Sequence, residues 1–124
     1  MTTKTSKVAV PTEHQEQAAL VRWFDLQYPK LAPLLYAIPN GANKGFASAA
    51  KFKREGLRAG FPDLGLAVAR RGYNGMFVEM KRVKGGTVSD AQDKYLRDLG
   101  LQGFYTAVAK GFDEACEQIH WYLH

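Results

Sequence analysis

Gly60-Phe61-Pro62-Asp63-Leu64-Gly65-Leu66-Ala67-Val68-Ala69, followed after a short break by Met76-Phe77-Val78-Glu79-Met80-Lys81, is the stretch whose reading decides the fold. Between the two apolar runs, Arg70-Arg71-Gly72-Tyr73-Asn74-Gly75 has the Gly and Asn content of a turn. Two strands joined by so short a connection pair antiparallel. Side chains alternate across a strand, so Phe77, Glu79 and Lys81 share one face, while Met76, Val78 and Met80 form an apolar face for burial. In such a hairpin the start of the first strand lies opposite the end of the second. Asp63 then stands within about one residue pair of Glu79, and at cross-strand spacings of roughly 5 Å both carboxylates can reach one ion.

These residue types suit a definite chemistry. Mg2+ prefers oxygen ligands and binds one or two carboxylates while keeping several waters. Asp63 and Glu79 supply the carboxylates, and the backbone carbonyl of Met80 a third oxygen. Lys81, on the Glu79 face, is placed to stabilise charge that develops at a phosphate. Singly, either acid is an ordinary solvated charge at a strand end. The signal lies in their combination: an acid fixed after a proline, a second acid on the paired strand, and a lysine beside it.

Toward the N-terminus, residues 1–9 form a polar tail and leave a single domain over residues 10–124. Thr12-Glu13-His14-Gln15 matches a capping box, opening a helix to about Gln27 that Pro29 stops. By helical spacing Glu13, Gln17, Leu20 and Phe24 fall on one stripe, with Trp23 and Glu16 on its flank. An acid and an amide leading an apolar stripe are out of place in a purely structural helix. Leu34-Leu35-Tyr36-Ala37-Ile38 reads as a short buried strand ended by Pro39-Asn40-Gly41, and Phe46 to Glu55 as a helix closed by Gly56. Asn40, Lys44, Lys51, Lys53, Arg54 and Arg58 lead into Asp63 and are candidate phosphate contacts, the electrostatic footprint that sequence-independent DNA binding needs.

Toward the C-terminus, Ser89-Asp90-Ala91-Gln92 is a second capping box, with Gln92 as the reciprocal partner, opening a helix to about Leu99 that Gly100 closes. Phe104 to Ala109 is a last strand and Asp113 to Leu123 a last amphipathic helix. The order α-β-α-β-β-α-β-α predicts an α/β domain without repeats. His120 and His124 fall on one helix face and are read as solvated residues at a fraying end; Trp121 and Tyr122 pack that helix or a dimer interface.

Composition sets the bounds. The 124 residues are 46% hydrophobic and 23% charged, enough for a core without disulfides. The single cysteine, Cys116, excludes an intramolecular disulfide and points to a reducing, cytoplasmic setting. No run approaches the roughly 20 apolar residues of a membrane span, so no membrane partner is expected. The net charge of +5 favours polyanionic partners.

With these residues in place, Gly60-Phe61-Pro62-Asp63 and Glu79-Met80-Lys81 resemble the catalytic signature of the PD-(D/E)xK nuclease superfamily. The fuller pattern is similar to its VRR-NUC branch, the virus-type replication-repair nucleases. It runs over roughly residues 12–109, through the acidic first helix, Pro39-Asn40-Gly41, the two catalytic motifs and Ser89-Asp90-Ala91-Gln92. The resemblance implies a restriction-endonuclease-like core with a central mixed β-sheet flanked by helices. It implies a phosphodiesterase dependent on Mg2+ or Mn2+, with Asp63 and Glu79 as metal ligands and Lys81 as base or electrostatic stabiliser. Glu13, whose interval to Gln17 matches the family's Glu-x-x-x-Gln spacing, becomes a further ligand or water-orienting acid in preference to Glu16, and Gln92 a site-adjacent residue. With no fused domain in view, the stand-alone type is expected: a homodimeric Holliday-junction resolvase whose two-fold symmetry suits a four-way DNA junction. The alternatives are a flap or nicking nuclease without junction preference, or a non-catalytic basic DNA-binding module.

Overall fold

Thr12 caps the first helix through its hydroxyl, which accepts from the backbone N of Gln15 at 3.1 Å, while Gln15 Oε1 accepts from Thr12 N at 2.9 Å. The helix so opened, α1, spans Glu13–Gln27. The computed structural model describes residues 9–39 and 46–124, and of residues 46–49 only their place in a helix. Asn40 and Lys44, the body of the turn after Pro39, and the tail up to residue 8 lie outside the described residues. A 3-10 turn over Ala32–Leu34 follows α1, and then β1 (Leu35–Ala37), α2 (Phe46–Arg54), β2 (Leu64–Leu66), β3 (Met76–Lys81), α3 (Asp90–Leu101), β4 (Tyr105–Lys110) and α4 (Phe112–Leu123).

The strands form one mixed sheet in the order β1-β2-β3-β4. β1 with β2 and β2 with β3 are antiparallel, whereas β3 and β4 run parallel because α3 carries the chain back between them. The α/β architecture with a central mixed sheet flanked by helices therefore follows the order expected from the sequence. The hairpin register pairs Leu64 with Val78, which sets Asp63 opposite Glu79 one step further on.

All six residues of β3 are buried, not only its apolar face. Met76, Val78 and Met80 join Leu20, Phe24, Ile119 and Tyr122 in the main core under α1 and α4. On the other face Phe77 meets Phe61 at 5.5 Å and Phe104 at 5.1 Å, and Phe61 meets Tyr95 of α3 at 5.2 Å. Glu79 and Lys81, on the same face of β3 as Phe77, are buried as well. Cys116 packs half-buried against the main core, and burial pushes its thiol up to about 11, out of the range of a reactive thiolate.

Four local expectations change. β1 is not a buried strand: of its three residues only Leu35 is buried, while Tyr36 and Ala37 are exposed at the edge of the sheet. β2 ends at Leu66 rather than Ala69: Ala67 N still donates to Leu34 O at 2.9 Å, but beyond it the Tyr122 hydroxyl takes the backbone groups, accepting from Arg70 N at 3.2 Å and donating to Val68 O at 2.6 Å. Helix α3 continues through Gly100, and the reversal falls at Gly103, whose φ of +89° suits glycine. Glu16 is not on the flank of the α1 stripe; it is buried in line with Leu20 and Phe24. Its carboxylate accepts a hydrogen bond from the backbone N of Phe112 at the start of α4, where Gly111 offers no side chain to cap the helix.

Candidate active site

Four pieces of chain converge on a cleft of about 530 Å³. The hairpin contributes Asp63, Glu79 and Lys81, the start of α3 contributes Gln92, and the start of α1 contributes Glu13, His14 and Gln17. The end of β1, through Ile38 and Pro39, forms a wall. Asp63 is held from both ends: its carbonyl accepts from Ile38 N at 2.8 Å and its Oδ2 accepts from Met80 N at 2.7 Å. The second bond continues the hairpin by side chain where the ladder itself stops.

That bond also orients Met80. The N–H and C=O of one strand residue point to the same side, and successive residues point to opposite sides. Lys81 O accepts from Gly111 N at 2.9 Å, on the side away from β2. The Met80 carbonyl thus turns toward Asp63, the side on which the sequence reading wants a third oxygen.

Gln92 joins the other charged groups. Its Oε1 accepts from Lys81 Nζ at 2.8 Å and from Ser89 N at 2.9 Å, while its Nε2 donates to Glu79 Oε2 at 3.1 Å. The Ser89 hydroxyl accepts from Gln92 N at 3.1 Å and completes the capping box. One amide therefore fixes the first turn of α3 and the relative positions of Lys81 and Glu79. Lys81 Nζ lies 3.5 Å from Glu79 Oε2, and both side chains are almost wholly buried.

Burial pushes the Glu79 carboxyl up to about 8, the neighbouring Asp63 adds to the rise, and Lys81 opposes it. Glu79 Oε1 is buried without a hydrogen-bond partner. An orphaned carboxylate oxygen beside a second carboxylate has the donor chemistry of a hard divalent cation site, and Asp63, Glu79 and the Met80 carbonyl fit that group. Among the described residues no group of three or more His, Cys, Asp or Glu side chains is gathered. Glu13 instead lines the cleft from the exposed first turn of α1.

The basic candidates among the described residues sit apart from the cleft. Lys51, Lys53 and Arg54 are exposed on the last turn of α2 and do not line the cleft. Arg58 lines an adjoining hollow of about 360 Å³ with Leu57 and Phe61, which shares the Ile38-Pro39 wall. Two polar cleft residues were not among the sequence candidates. Gln17 had a signal, one helical turn after Glu13 on the apolar stripe; His14 had none beyond its place beside Glu13.

Comparison with known proteins agrees with this geometry. A family model described as VRR-NUC domain matches residues 11–113. A solved structure titled VRR_NUC domain protein superposes with a TM-score of 0.82 at 31% identity, covering 94% of this chain and 91% of that one. No curated protein matches. The family match spans the helix of Glu13, both hairpin motifs and the α3 cap. The chain belongs to the VRR-NUC domain family, nucleases of the PD-(D/E)xK type.

Proposed function

We propose that this nuclease is a DNA endonuclease dependent on Mg2+ or Mn2+, acting as a homodimer on branched DNA of the four-way-junction type. The observation that carries the metal-dependent reading is the orphaned Oε1 of buried Glu79, set opposite Asp63 in the hairpin register. Asp63, Glu79 and the Met80 carbonyl would hold the cation, with Glu13 reaching in from α1 directly or through water. When bound, a divalent cation supplies Lewis-acid polarisation of the phosphoryl oxygen and acidifies a water for attack.

The other steps belong to the chain itself. In the metal-free site at neutral pH, Glu79 holds a proton on its carboxyl group, favoured by burial. The carboxyl gives up that proton on cation loading, so loading strengthens as pH rises. Lys81 places a positive charge beside the scissile phosphate, and Gln92, bonded to both Lys81 and Glu79, fixes where its ammonium lies. Lys51, Lys53, Arg54 and Arg58, with Asn40 and Lys44 on the same segment, hold the DNA backbone without reading sequence.

The test compares cleavage of a four-way junction, a flap and a linear duplex in Mg2+, Mn2+ and EDTA, using wild type and Asp63→Asn. Junction-selective cutting that needs the metal and Asp63 is expected. Equal rates on all three substrates would remove junction selectivity and leave a flap or nicking nuclease. DNA binding without cleavage in either metal would leave a binding module. A monomeric mass by light scattering at micromolar concentration would remove the dimer.

A further inference from the structure

Beside the cleft, the hollow of about 360 Å³ is walled by Ile38, Pro39, Leu57 and Phe61, with Glu55 and Arg58 as its charged lining. The chain builds it locally. Gly56 ends α2 with φ of +101°, its N donates to Lys53 O at 3.1 Å, and Leu57 N reaches back to Phe52 O at 2.9 Å. That pair of bonds is the glycine-closed helix end in which the chain reverses sharply, and it sets Leu57 and Arg58 against the end of β1. Phe61, between Phe77 at 5.5 Å and Tyr95 at 5.2 Å, is held in place as the aromatic part of the wall.

Two observations say what the hollow takes. It shares Ile38 and Pro39 with the cleft of Asp63 and Glu79, so its occupant lies next to the reacting phosphate. Its surroundings are basic: Lys51, Lys53 and Arg54 are exposed on the last turn of α2, and Arg58 belongs to the lining. Such a surface draws a polyanion. Phosphates satisfy the cations but leave a wall of Ile, Pro, Leu and Phe without a partner. The flat, apolar part of a nucleic acid is its base, and every base has a face that stacks on an aromatic ring. Glu55 can accept from the N–H groups on a base edge, and Arg58 can donate to one.

The size narrows the choice further. A volume of about 360 Å³ is at the low end of ligand pockets, roughly 300–1,000 Å³, and suits one ring system rather than a stacked pair. A base within a duplex has to leave its stack to enter, which costs least where pairing is already broken or strained. We propose that the hollow takes a single unpaired or unstacked nucleobase beside the scissile phosphate, and that this capture directs the nuclease to branch points. The proposal rests on the DNA-cleaving reading above and names the feature of branched DNA that the chain selects.

The experiment measures binding of the full wild-type chain by fluorescence anisotropy in EDTA and low salt, where the metal-dependent reaction is off. One probe is a four-way junction with a single unpaired thymine at its branch point. The other is the same junction with an abasic residue in that place. Loss of the base should weaken wild-type binding about 5- to 100-fold, the scale of one base stacked on protein. Leu57→Trp fills the hollow with the chain's own ring, and Leu57→Gln keeps a side chain of similar length while making the wall polar. In either variant, its fold verified by circular dichroism, the two probes should bind within about twofold of each other. Equal wild-type affinity for both probes would overturn the hollow, and DNA binding with metal-dependent cutting would leave the nuclease reading standing. Base dependence that survives in both folded Leu57 variants would place the base elsewhere and overturn the hollow as well. Base dependence lost in those variants, in a chain that cuts no junction in Mg2+ or Mn2+, would remove the endonuclease reading and keep the hollow as the base site.

Discussion

The Lys81 ammonium donates to Gln92 Oε1 across 2.8 Å, and the same oxygen accepts from Ser89 N at 2.9 Å. A helix cap and a catalytic candidate therefore share one acceptor. Gln92→Ala removes both partners. It should lower Tm by a few degrees through loss of a cap worth about 0.5–1 kcal/mol. It should also lower kcat by about 10- to 100-fold, because Lys81 loses its position. Gln92→Glu retains an acceptor for the cap but replaces the amide donor facing Glu79 with a second carboxyl. Tm close to wild type with depressed kcat is expected for that variant, measured by thermal melts and single-turnover cleavage.

The buried Glu79 makes metal-free stability depend on pH. Its folded value of about 8 lies above the ordinary carboxylate value of 4.5, so between these the folded state binds more protons than the unfolded state. Stability then falls as pH rises through that window, with a slope of at most about 1.4 kcal/mol per pH unit from this group. Urea denaturation in EDTA at pH 5 and pH 8 should show the loss in wild type and a flatter profile in Glu79→Gln. A saturating divalent cation should restore stability at pH 8, where the carboxylate is available.

Two acids on α1 should separate cleanly. Glu16→Ala leaves Phe112 N at the start of α4 without its carboxylate, a loss of about 1–3 kcal/mol. Glu16→Gln retains an acceptor and should recover part of it. Folded enzyme bearing either change should cut DNA near the wild-type rate. Glu13→Gln should do the reverse, shifting stability by less than about 0.5 kcal/mol at its exposed position while reducing cleavage. Melting and cleavage measured on the same preparations check both.

Gly60 has φ of +88°, and a Cβ there would lie 3.1 Å from Ala91 Cβ at the start of α3. Gly60→Ala should cost about 1–2 kcal/mol through the left-handed backbone alone. The crowding pushes on the turn that carries Gln92, so kcat should fall as well. A stability loss without any change in kcat would show that α3 gives way without moving Gln92.

What was legible in the sequence was local or strictly periodic. Both capping boxes have their partners three residues apart, and the hairpin register follows from strand alternation and turn length, which is enough to bring Asp63 to Glu79. What was illegible depends on contacts far along the chain. Glu16 is buried by a backbone N–H 96 residues away, and β2 stops early because of a tyrosine more than 50 residues on. Helical spacing put Glu13 with Gln17 on one stripe, and both do line the cleft; four-residue spacing also set Glu16 in line with Leu20 and Phe24, but nothing nearby in the sequence named the Phe112 N–H that lets a carboxylate be buried there. Gln92 read as either a cap or a site neighbour, and a single amide has enough donors and acceptors to be both.

The chemistry assigned to the hairpin is tested most directly by single-turnover cleavage of four-way-junction DNA in Mg2+, comparing wild type with Glu79→Gln whose fold is verified by circular dichroism. Glu79→Gln is close in shape and removes the charge and one of the two oxygens available to a cation. A fall of about 100-fold or more is expected. A rate equal to wild type would contradict a metal-dependent role for the Asp63–Glu79 pair.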